Sequence, residues 1–171
     1  MITKLDISEF DEMFSIMKTS FPLDEYRPYD EQKALFENEY YSVFVKKDEK
    51  IKGFIAVWDF PEILFVEHFA VNPNYRNQGI GAKILKEVTR LFDKPVCLEV
   101  EPPENETTKR RIGFYERNGF YLNDYPYIQP PISKGKNPVP LMIMSSGKEL
   151  SQTEFHIIKE RLYHSVYKVF L

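Results

Sequence analysis

The chain has 171 residues, of which 43% are hydrophobic and 29% charged, and its formal net charge is −3. This composition is typical of a globular protein of one domain that is long enough to bury a core. The small negative charge argues against a nucleic-acid partner, which normally requires a basic patch. No secretion signal and no apolar run of ~20 residues is recognisable, so we predict a cytoplasmic protein without a membrane partner.

The N-terminal half begins with a short strand and a helical apolar period over residues 9–21, followed by a loop and a second, Tyr-rich helix. Three strand-like runs come next, YSVFVK, IKGFIAVW and EILFVEHFAV. Their short connections predict an antiparallel meander. An apolar stripe then predicts an amphipathic helix over residues 79–92, before the strand PVCLEV. Because a helix connects EILFVEHFAV to PVCLEV, these two strands are expected to be parallel.

The C-terminal part has a predicted helix over residues 106–118 that Gly119 ends, and two late strands, FYLNDYPYI and VPLMIMS, around a Pro-rich loop. A capping box from Ser151 to Glu154 opens a last helix. The element order predicts an α+β fold with a mixed, mostly antiparallel sheet and an extra C-terminal helix. We expect one domain, residues 1–171, with a core of about 1–146 and a helical extension of about 151–170.

The stretch RNQGIG, residues 76–81, lies between a strand and a helix. A helix start carries unpaired N–H groups and partial positive charge, glycines allow close approach, and Arg76 adds a fixed charge, so the stretch suits a diphosphate. The alternative is an ordinary surface turn. A P-loop is excluded because no Gly-Lys-Ser/Thr follows, and the dinucleotide pattern G-x-G-x-x-G fails at Ile84.

With its flanks, VEHFAVNPNYRNQGIGAKIL resembles the acyl-CoA-binding motif of the GNAT superfamily of N-acetyltransferases, including its Arg/Gln-x-x-Gly-x-Gly/Ala loop at Arg76, Gly79 and Gly81. GFYERNGF is similar to the second signature of the superfamily, a helix that carries a Tyr before Gly-Phe. The resemblance covers about residues 2–145. It implies helices on both faces of the sheet, acetyl-CoA as acyl donor, no metal, an amine acceptor, and a monomer or homodimer.

The resemblance also implies where the cofactor lies. The pantetheine arm would insert between the splayed EILFVEHFAV and PVCLEV strands, and the diphosphate would rest on the helix start. The implied cofactor-binding residues are Phe69, Ala70, Val71, Arg76, Asn77, Gln78, Gly79, Ile80, Gly81 and Ala82. The chain departs from the family pattern at Asn77, where Gly is commoner, at Thr108, where many members have an Asn bonded to the pantetheine, and at Arg111, where a small residue is usual.

Glu67 is the candidate general base. It interrupts an apolar strand, where a carboxylate is costly unless it is paired, hydrated or functional, and partial burial is expected to raise its pKa toward neutrality. A position-matched Glu acts as base in some GNAT enzymes. The alternative is a Glu bonded to a neighbouring donor. In a regular strand His68 would point to the opposite face, whereas a bulge would change that geometry.

Tyr115 is the candidate acid, since it matches the Tyr of the superfamily and a phenol with a pKa of ~10 holds its proton at neutral pH. The alternative is a Tyr that only packs against the cofactor.

Two carboxylates, Glu99 and Glu101, are candidates for attracting a cationic acceptor; the alternative is that they form a solvated strand edge. Tyrosines that are candidates for walls of the acceptor pocket, or simply amphipathic surface, are Tyr26, Tyr29, Tyr125 and Tyr127.

The sequence therefore predicts an acetyl-CoA-dependent N-acetyltransferase that acetylates a primary amine of a small molecule or peptide with base and acid assistance. The alternative function is a non-catalytic acyl-CoA-binding module or sensor, which the departures at Thr108 and Arg111 favour. The sequence does not name the acceptor.

Overall fold

The computed structural model describes residues 1–169, so the predicted end of the C-terminal extension at residue 170 lies outside the described residues. The chain divides into two compact units, Met1–Val96 and Cys97–Leu171. The described residues form seven strands and five α-helices, which confirms the predicted α+β class. None of the helices within residues 1–169 combines the length and the apolar character needed to cross a bilayer.

The first unit contains four strands and three α-helices. The strands are β1 (Thr3–Lys4), β2 (Tyr41–Lys47), β3 (Ile51–Asp59) and β4 (Leu64–Val71). The helices are α1 (Phe10–Ser20), α2 (Tyr29–Ala34) and α3 (Ile80–Phe92), and the 3-10 turns are Ile7–Glu9, Leu23–Glu25, Leu35–Glu37 and Pro73–Tyr75. The strands lie in the order β1-β2-β3-β4 and every neighbour is antiparallel, which confirms the predicted meander.

Strand β3 is the centre of the first core. Its residues are buried without alternation from Gly53 to Trp58. Because successive side chains of a strand point to opposite faces, both faces of β3 are covered. Helices α1 and α3 both contact β3 and β4. Helix α3 lies so close to β3 that a Cβ added at Gly53 would stand 2.8 Å from Ile84 Cδ1. This close packing fixes the start of α3 next to the end of β4.

The second unit contains the remaining elements. Its strands are β5 (Val96–Val100, which begins at the unit boundary), β6 (Phe120–Gln129) and β7 (Val139–Ser146), and its helices are α4 (Glu106–Arg117) and α5 (Gln152–Arg161). The strands lie in the antiparallel order β5-β7-β6. The predicted parallel relation of the strands β4 and β5 stays a prediction.

Helix α5 covers β6. The predicted capping box is present, since the Ser151 hydroxyl accepts a hydrogen bond from the Glu154 N–H and the Glu154 carboxylate accepts one from the Ser151 N–H. Phe155 of α5 packs against the Tyr125 ring with a centroid distance of 4.8 Å. A π-helical turn, Leu162–Val166, continues α5. The C-terminal helix is thus part of the core of the second unit.

Candidate active site

The loop between β4 and α3 is shaped by its asparagines and glycines. Asn72 fixes the end of β4, because its side-chain Nδ2 donates to the Ile51 carbonyl at 3.1 Å while its Oδ1 accepts from the Asn74 N–H at 3.0 Å. Asn77 and Gly79 both have positive φ, 64° and 73°. Asn tolerates this left-handed conformation and Gly adopts it without cost, so the loop can turn sharply into the helix.

The start of α3 keeps its backbone donors open. Gly79 is the N-cap and supplies no side chain to satisfy the first-turn N–H groups. A Cβ added at Gly79 would meet no atom within 4 Å, so the space beside this N-cap residue is open. Arg76 is exposed and its Nε donates to the Val71 carbonyl at 3.4 Å, which ties the cation to the end of β4. Open donors, a helix dipole and a nearby guanidinium together fit a diphosphate.

The ten predicted cofactor-binding residues all lie in the first unit, along the last residues of β4 and the first turn of α3. Phe69, Ala70 and Val71 are partly exposed, as a backbone that pairs with a ligand must be. The residues fit a diphosphate-bearing ligand, whereas the assignment of each residue to CoA stays a prediction.

Strand β4 has a bulge at Glu67. Ala56 of β3 pairs with His68, and the next residue, Val57, pairs with Val66, so Glu67 is the extra residue. A bulge disrupts the alternation of side chains. The expectation that Glu67 and His68 point to opposite faces therefore does not apply, and both contact the stretch of residues 25–27.

The Glu67 carboxylate is buried in an ion pair. Its Oε2 lies 2.9 Å from Arg27 Nη1, and the two side chains are only 2% and 6% exposed. Its Oε1 accepts a hydrogen bond from Trp58 Nε1 at 2.8 Å. Burial raises the pKa of Glu67, but the Arg27 charge and smaller effects that include the Trp58 hydrogen bond together lower it by more, so the net pKa is below its ordinary value. The expectation of a raised pKa is wrong, because it did not include a buried cation.

His68 is also buried, and the residue is 1% exposed. Its Nε2 lies 2.6 Å from the Glu25 carbonyl oxygen. Since a carbonyl oxygen only accepts, Nε2 carries the proton and Nδ1 is the unprotonated nitrogen. Within residues 1–169 Nδ1 has no hydrogen-bond partner. Burial lowers the pKa of His68 more than the neighbouring Glu67 raises it, so the ring is neutral at pH 7.

His68 should make folding stability fall in mild acid. Its folded pKa lies below its ordinary value of about 6.5, so between these values the unfolded chain binds a proton that the folded chain does not. The contribution of the buried, neutral His68 to the free energy of unfolding is therefore fully present above pH ~6.5. As the pH falls below this value, the free energy of unfolding decreases by at most about 1.4 kcal/mol per pH unit. The contribution of Glu67 to folding stability, by contrast, is lost only when the pH falls below the ordinary pKa of a Glu, 4.5.

Urea unfolding at pH 7.5, 6.5 and 5.5 measures this effect. We expect the free energy of unfolding to fall less steeply with acid in His68→Gln than in the wild type. The exposed His156 supplies the control, and His156→Gln should keep the wild-type slope. Equal slopes in all three proteins would show that His68 is not the responsible group.

In the second unit, Tyr115 lies near the end of α4 and is 8% exposed. Its ring meets those of Phe114 and Phe120 edge to face at 5.2 and 5.8 Å between centroids. Burial raises the pKa of Tyr115 to about 12, against a smaller opposite effect of the Arg111 charge. The phenol therefore keeps its proton at neutral pH, as the predicted acid requires.

Thr108 and Arg111, the two departures in α4, have local partners. The Thr108 Oγ1 accepts from the N–H groups of Glu104 and Asn105 at 3.1 Å each, and it forms a capping box with Asn105. Thr108 thus stabilises the start of the helix. Arg111 Nη1 lies 3.9 Å from Glu101 Oε1. In this exposed pair, Arg111 partly compensates the negative charge of Glu101, which is one of the predicted acceptor-binding residues.

Glu99, the other acidic candidate, is bonded to two phenols. Tyr127 donates to its Oε2 at 2.5 Å and Tyr167 to its Oε1 at 2.6 Å. Burial, followed by the Glu99 charge, raises the pKa of Tyr127 well above its ordinary value. Tyr125 donates to the Leu150 carbonyl at 3.0 Å. The Tyr167 contact was not predictable from the sequence, because nothing in the local pattern around Tyr167 links it to β5.

Tyr26 and Tyr29 lie together in the first unit. Tyr26 is 8% exposed and Tyr29 is 41% exposed, and both rings contact Phe14. Tyr29 also donates a hydrogen bond to Asp11. Between them lies Arg27, which the sequence analysis did not single out because it stands in an irregular loop far along the chain from Glu67. Residues 1–169 hold no group of three or more His, Cys, Asp or Glu side chains placed to bind a metal ion.

Comparisons with known proteins agree with this geometry. The model of the acetyltransferase (GNAT) family matches residues 9–120. Over 102 residues the chain is 30% identical to YjbC of Bacillus subtilis (strain 168), assigned as an acetyltransferase, and the match covers 58% of this chain and 52% of YjbC. The chain thus spans about half the length of this curated relative.

Solved structures show the same relation. A GNAT-family protein of Bacteroides thetaiotaomicron, also assigned as an acetyltransferase, has a TM-score of 0.91 at 33% identity over 99% of both chains. The ribosomal-protein-S18-alanine N-acetyltransferase of Escherichia coli has a TM-score of 0.66 at 20% identity, covering 88% of this chain and 95% of that one. An aminoglycoside 6'-N-acetyltransferase complexed with coenzyme A has a TM-score of 0.63 at 15% identity, covering 85% and 96%. The last two show a shared fold, and the family match over residues 9–120 shows that the chain belongs to the acetyltransferase (GNAT) family.

Proposed function

We propose that this protein is an acetyl-CoA-dependent N-acetyltransferase that acetylates a primary amine of a small molecule or a peptide in the cytoplasm, as a monomer or homodimer. The observation that carries the proposal is the uncapped start of α3 behind Gly79, with Arg76 tied beside it. Family membership supplies the reaction class, and acetyl-CoA supplies an acyl group activated as a thioester.

The first unit would bind the acyl donor. The N–H groups of the first turn of α3, from Ile80 to Ala82, would hold the diphosphate, with Arg76 at its border. The backbone of Phe69 to Val71 would pair with the pantetheine arm. Because the hydrogen-bond donors belong to a helix end and its loop, binding would cost little conformational entropy.

The second unit would supply the acid. The Tyr115 Oη holds its proton at neutral pH, with a pKa of about 12, and would donate it to the departing thiolate. A lysine-like acceptor has a pKa of ~10.4, so most of it arrives protonated and must lose a proton before it attacks. Tyr26, Tyr29 and Tyr125 remain candidates for the walls of the acceptor pocket, with Glu99 and Glu101 for its charge.

The alternative function, a non-catalytic acyl-CoA-binding module, is favoured by one observation. The Thr108 hydroxyl, at the position where many relatives bond the pantetheine, is engaged in the cap of α4. A bound thioester would then have one contact fewer in that helix.

A thiol-release assay decides between the two functions. The protein is incubated with acetyl-CoA and a panel of amines: diamines, polyamines, lysine, an aminoglycoside and peptides with free N-termini. We expect thiol release that depends on at least one amine, with the corresponding acetylated product in the mass spectrum. Calorimetry with CoA is run alongside. Binding without turnover on any amine would favour the module, and the absence of binding would contradict both functions.

A further inference from the structure

We infer that Glu67 is a positioning residue and not the general base: together with Arg27, it holds residues 25–27 on the bulge of β4. In this mechanism the acceptor amine loses its proton to water. This inference rests on the proposed N-acetyltransferase activity. The contacts Arg27–Glu67 and Glu25–His68 are called the clasp below.

The clasp exists because β4 has a bulge. Two consecutive residues of a regular strand would point to opposite faces, and only one of them could reach a given neighbouring segment. Here Glu67 is the extra residue and His68 follows it. Their side chains contact Arg27 at 2.9 Å and the Glu25 carbonyl at 2.6 Å, so one pair of neighbours on β4 holds both ends of a three-residue stretch.

The clasp continues away from β4. The Arg27 N–H donates to Gln32 Oε1 at 3.2 Å, and Gln32 Nε2 donates to the Tyr41 hydroxyl at 3.2 Å. Gln32 is fully buried and Tyr41 is 4% exposed. The stretch is therefore connected to β2 as well as to β4, through polar groups shielded from water, where such bonds are strongest.

The same contacts leave Glu67 poorly placed to accept a proton. One carboxylate oxygen faces the Arg27 guanidinium and the other accepts the Trp58 N–H. Protonation of Glu67 would remove the negative charge that lies 2.9 Å from the buried Arg27 guanidinium, which is strongly unfavourable. A general base needs a lone pair that the substrate can reach and a pKa near the working pH. The Glu67 carboxylate meets neither condition.

The proton balance of the reaction closes without Glu67. The amine that attacks is the neutral fraction, and the proton lost from its nitrogen goes to water. When the C–S bond breaks, Tyr115 gives its proton to the departing thiolate, which becomes the free thiol, and Tyr115 regains a proton from water. Glu67 keeps its charge throughout, and its part is to hold the residues that carry Tyr26. Loosening the clasp should therefore raise the KM for the amine and leave the affinity for CoA unchanged.

A double-mutant cycle tests the inference, with the variants Glu67→Gln, Arg27→Met and the two combined. Gln keeps an oxygen for the Trp58 N–H, and Met keeps most of the length of Arg without its charge. Each single variant removes one partner of the buried ion pair, and we expect its Tm to fall by about 5–10 °C. The combined variant removes both charges, and most of the Tm should return.

Turnover separates a positioning residue from a base. We expect kcat of the combined variant to return to within about tenfold of the wild type, since a general base contributes about 100-fold or more. The rise of kcat/KM with pH should also keep its wild-type shape. If the Tm returns but kcat stays at the level of Glu67→Gln, Glu67 is the base and the inference is wrong. If the Tm does not return, the clasp does not exist as described.

Two readouts keep the test independent of the proposed activity. Trp58 is the single tryptophan of the chain, so its fluorescence reports directly on the group bonded to Glu67. Single variants that fail to fold while the combined variant folds would support the clasp in a stronger form. A wild-type protein that acetylates no amine would contradict the proposed function, and the Tm cycle and the Trp58 signal would still decide whether the clasp holds.

Discussion

Tyr115→Phe is expected to lower kcat by about 100-fold, the lower end of the usual range for loss of a general acid, while the dissociation constant of CoA changes by less than about twofold. The reason is that only the hydroxyl is removed. The ring remains held by its edge contacts with Phe114 and Phe120, so Phe should occupy the same place. The phenol of the wild type, with a pKa of about 12, is protonated throughout the accessible pH range. Steady-state kinetics and calorimetry measure the two quantities.

Two controls isolate the proton from the packing. Tyr121, in the same unit, is 46% exposed, and Tyr121→Phe should leave kcat unchanged. The thiolate of a more acidic thiol needs less help from an acid when it leaves. With an acetyl thioester of such a thiol as donor, the fall in kcat caused by Tyr115→Phe should therefore be smaller. Equal turnover of Tyr115→Phe and the wild type with acetyl-CoA would remove Tyr115 from the mechanism.

The regular elements were predictable because each has a local signal. The apolar stripe of α3, the capping box of Ser151 and Glu154, and the short meander connections all act between residues close in sequence. The glycine loop was predictable for the same reason. Gly79 is the N-cap, and its positive φ is a conformation that glycine adopts readily. The N–H groups of the first turn lack partners within the helix because of helix geometry alone.

The surroundings of Glu67 were not predictable, because they depend on contacts between distant residues. A carboxylate in an apolar strand shows that something compensates it, but the strand does not contain the compensating group. That group is Arg27, in the irregular YRPY segment. The bulge was equally hidden, since it appears only when β4 is paired with β3. The Arg27 charge is the largest of the effects that lower the Glu67 pKa against the effect of burial.

Glu99 gives the same lesson in the second unit. Alternation along β5 correctly predicts a partly exposed face for Glu99, which favours a charge that an acceptor can reach. The tertiary structure adds the hydroxyls of Tyr127 and Tyr167, one to each carboxylate oxygen. A cationic acceptor that binds Glu99 must therefore share it with two phenols, and its role in acceptor binding stays a prediction.

Gly79→Asn is expected to weaken CoA binding by about tenfold or more, which corresponds to ~1.4 kcal/mol, with little change in stability. Asn tolerates the φ of 73° at this position, as Asn77 does at 64° two residues earlier. A Cβ at this position meets no protein atom within 4 Å, so the structure has room for the Asn side chain beside the start of the helix. A side-chain oxygen there would also cap the N–H groups of the first turn and compete with a diphosphate.

Gly147→Asn is the matched control for this experiment. Gly147 has a φ of 79° and open space around its Cβ, so the substitution repeats the backbone and steric change of Gly79→Asn at a position outside the α3 loop. We expect unchanged CoA affinity in this variant. Acetyl-pantetheine lacks the diphosphate, so its binding should be equal in the wild type and in Gly79→Asn. If Gly79→Asn binds CoA as tightly as the wild type, the diphosphate does not rest on the start of α3, because a helix end capped by a side chain has fewer donors to offer.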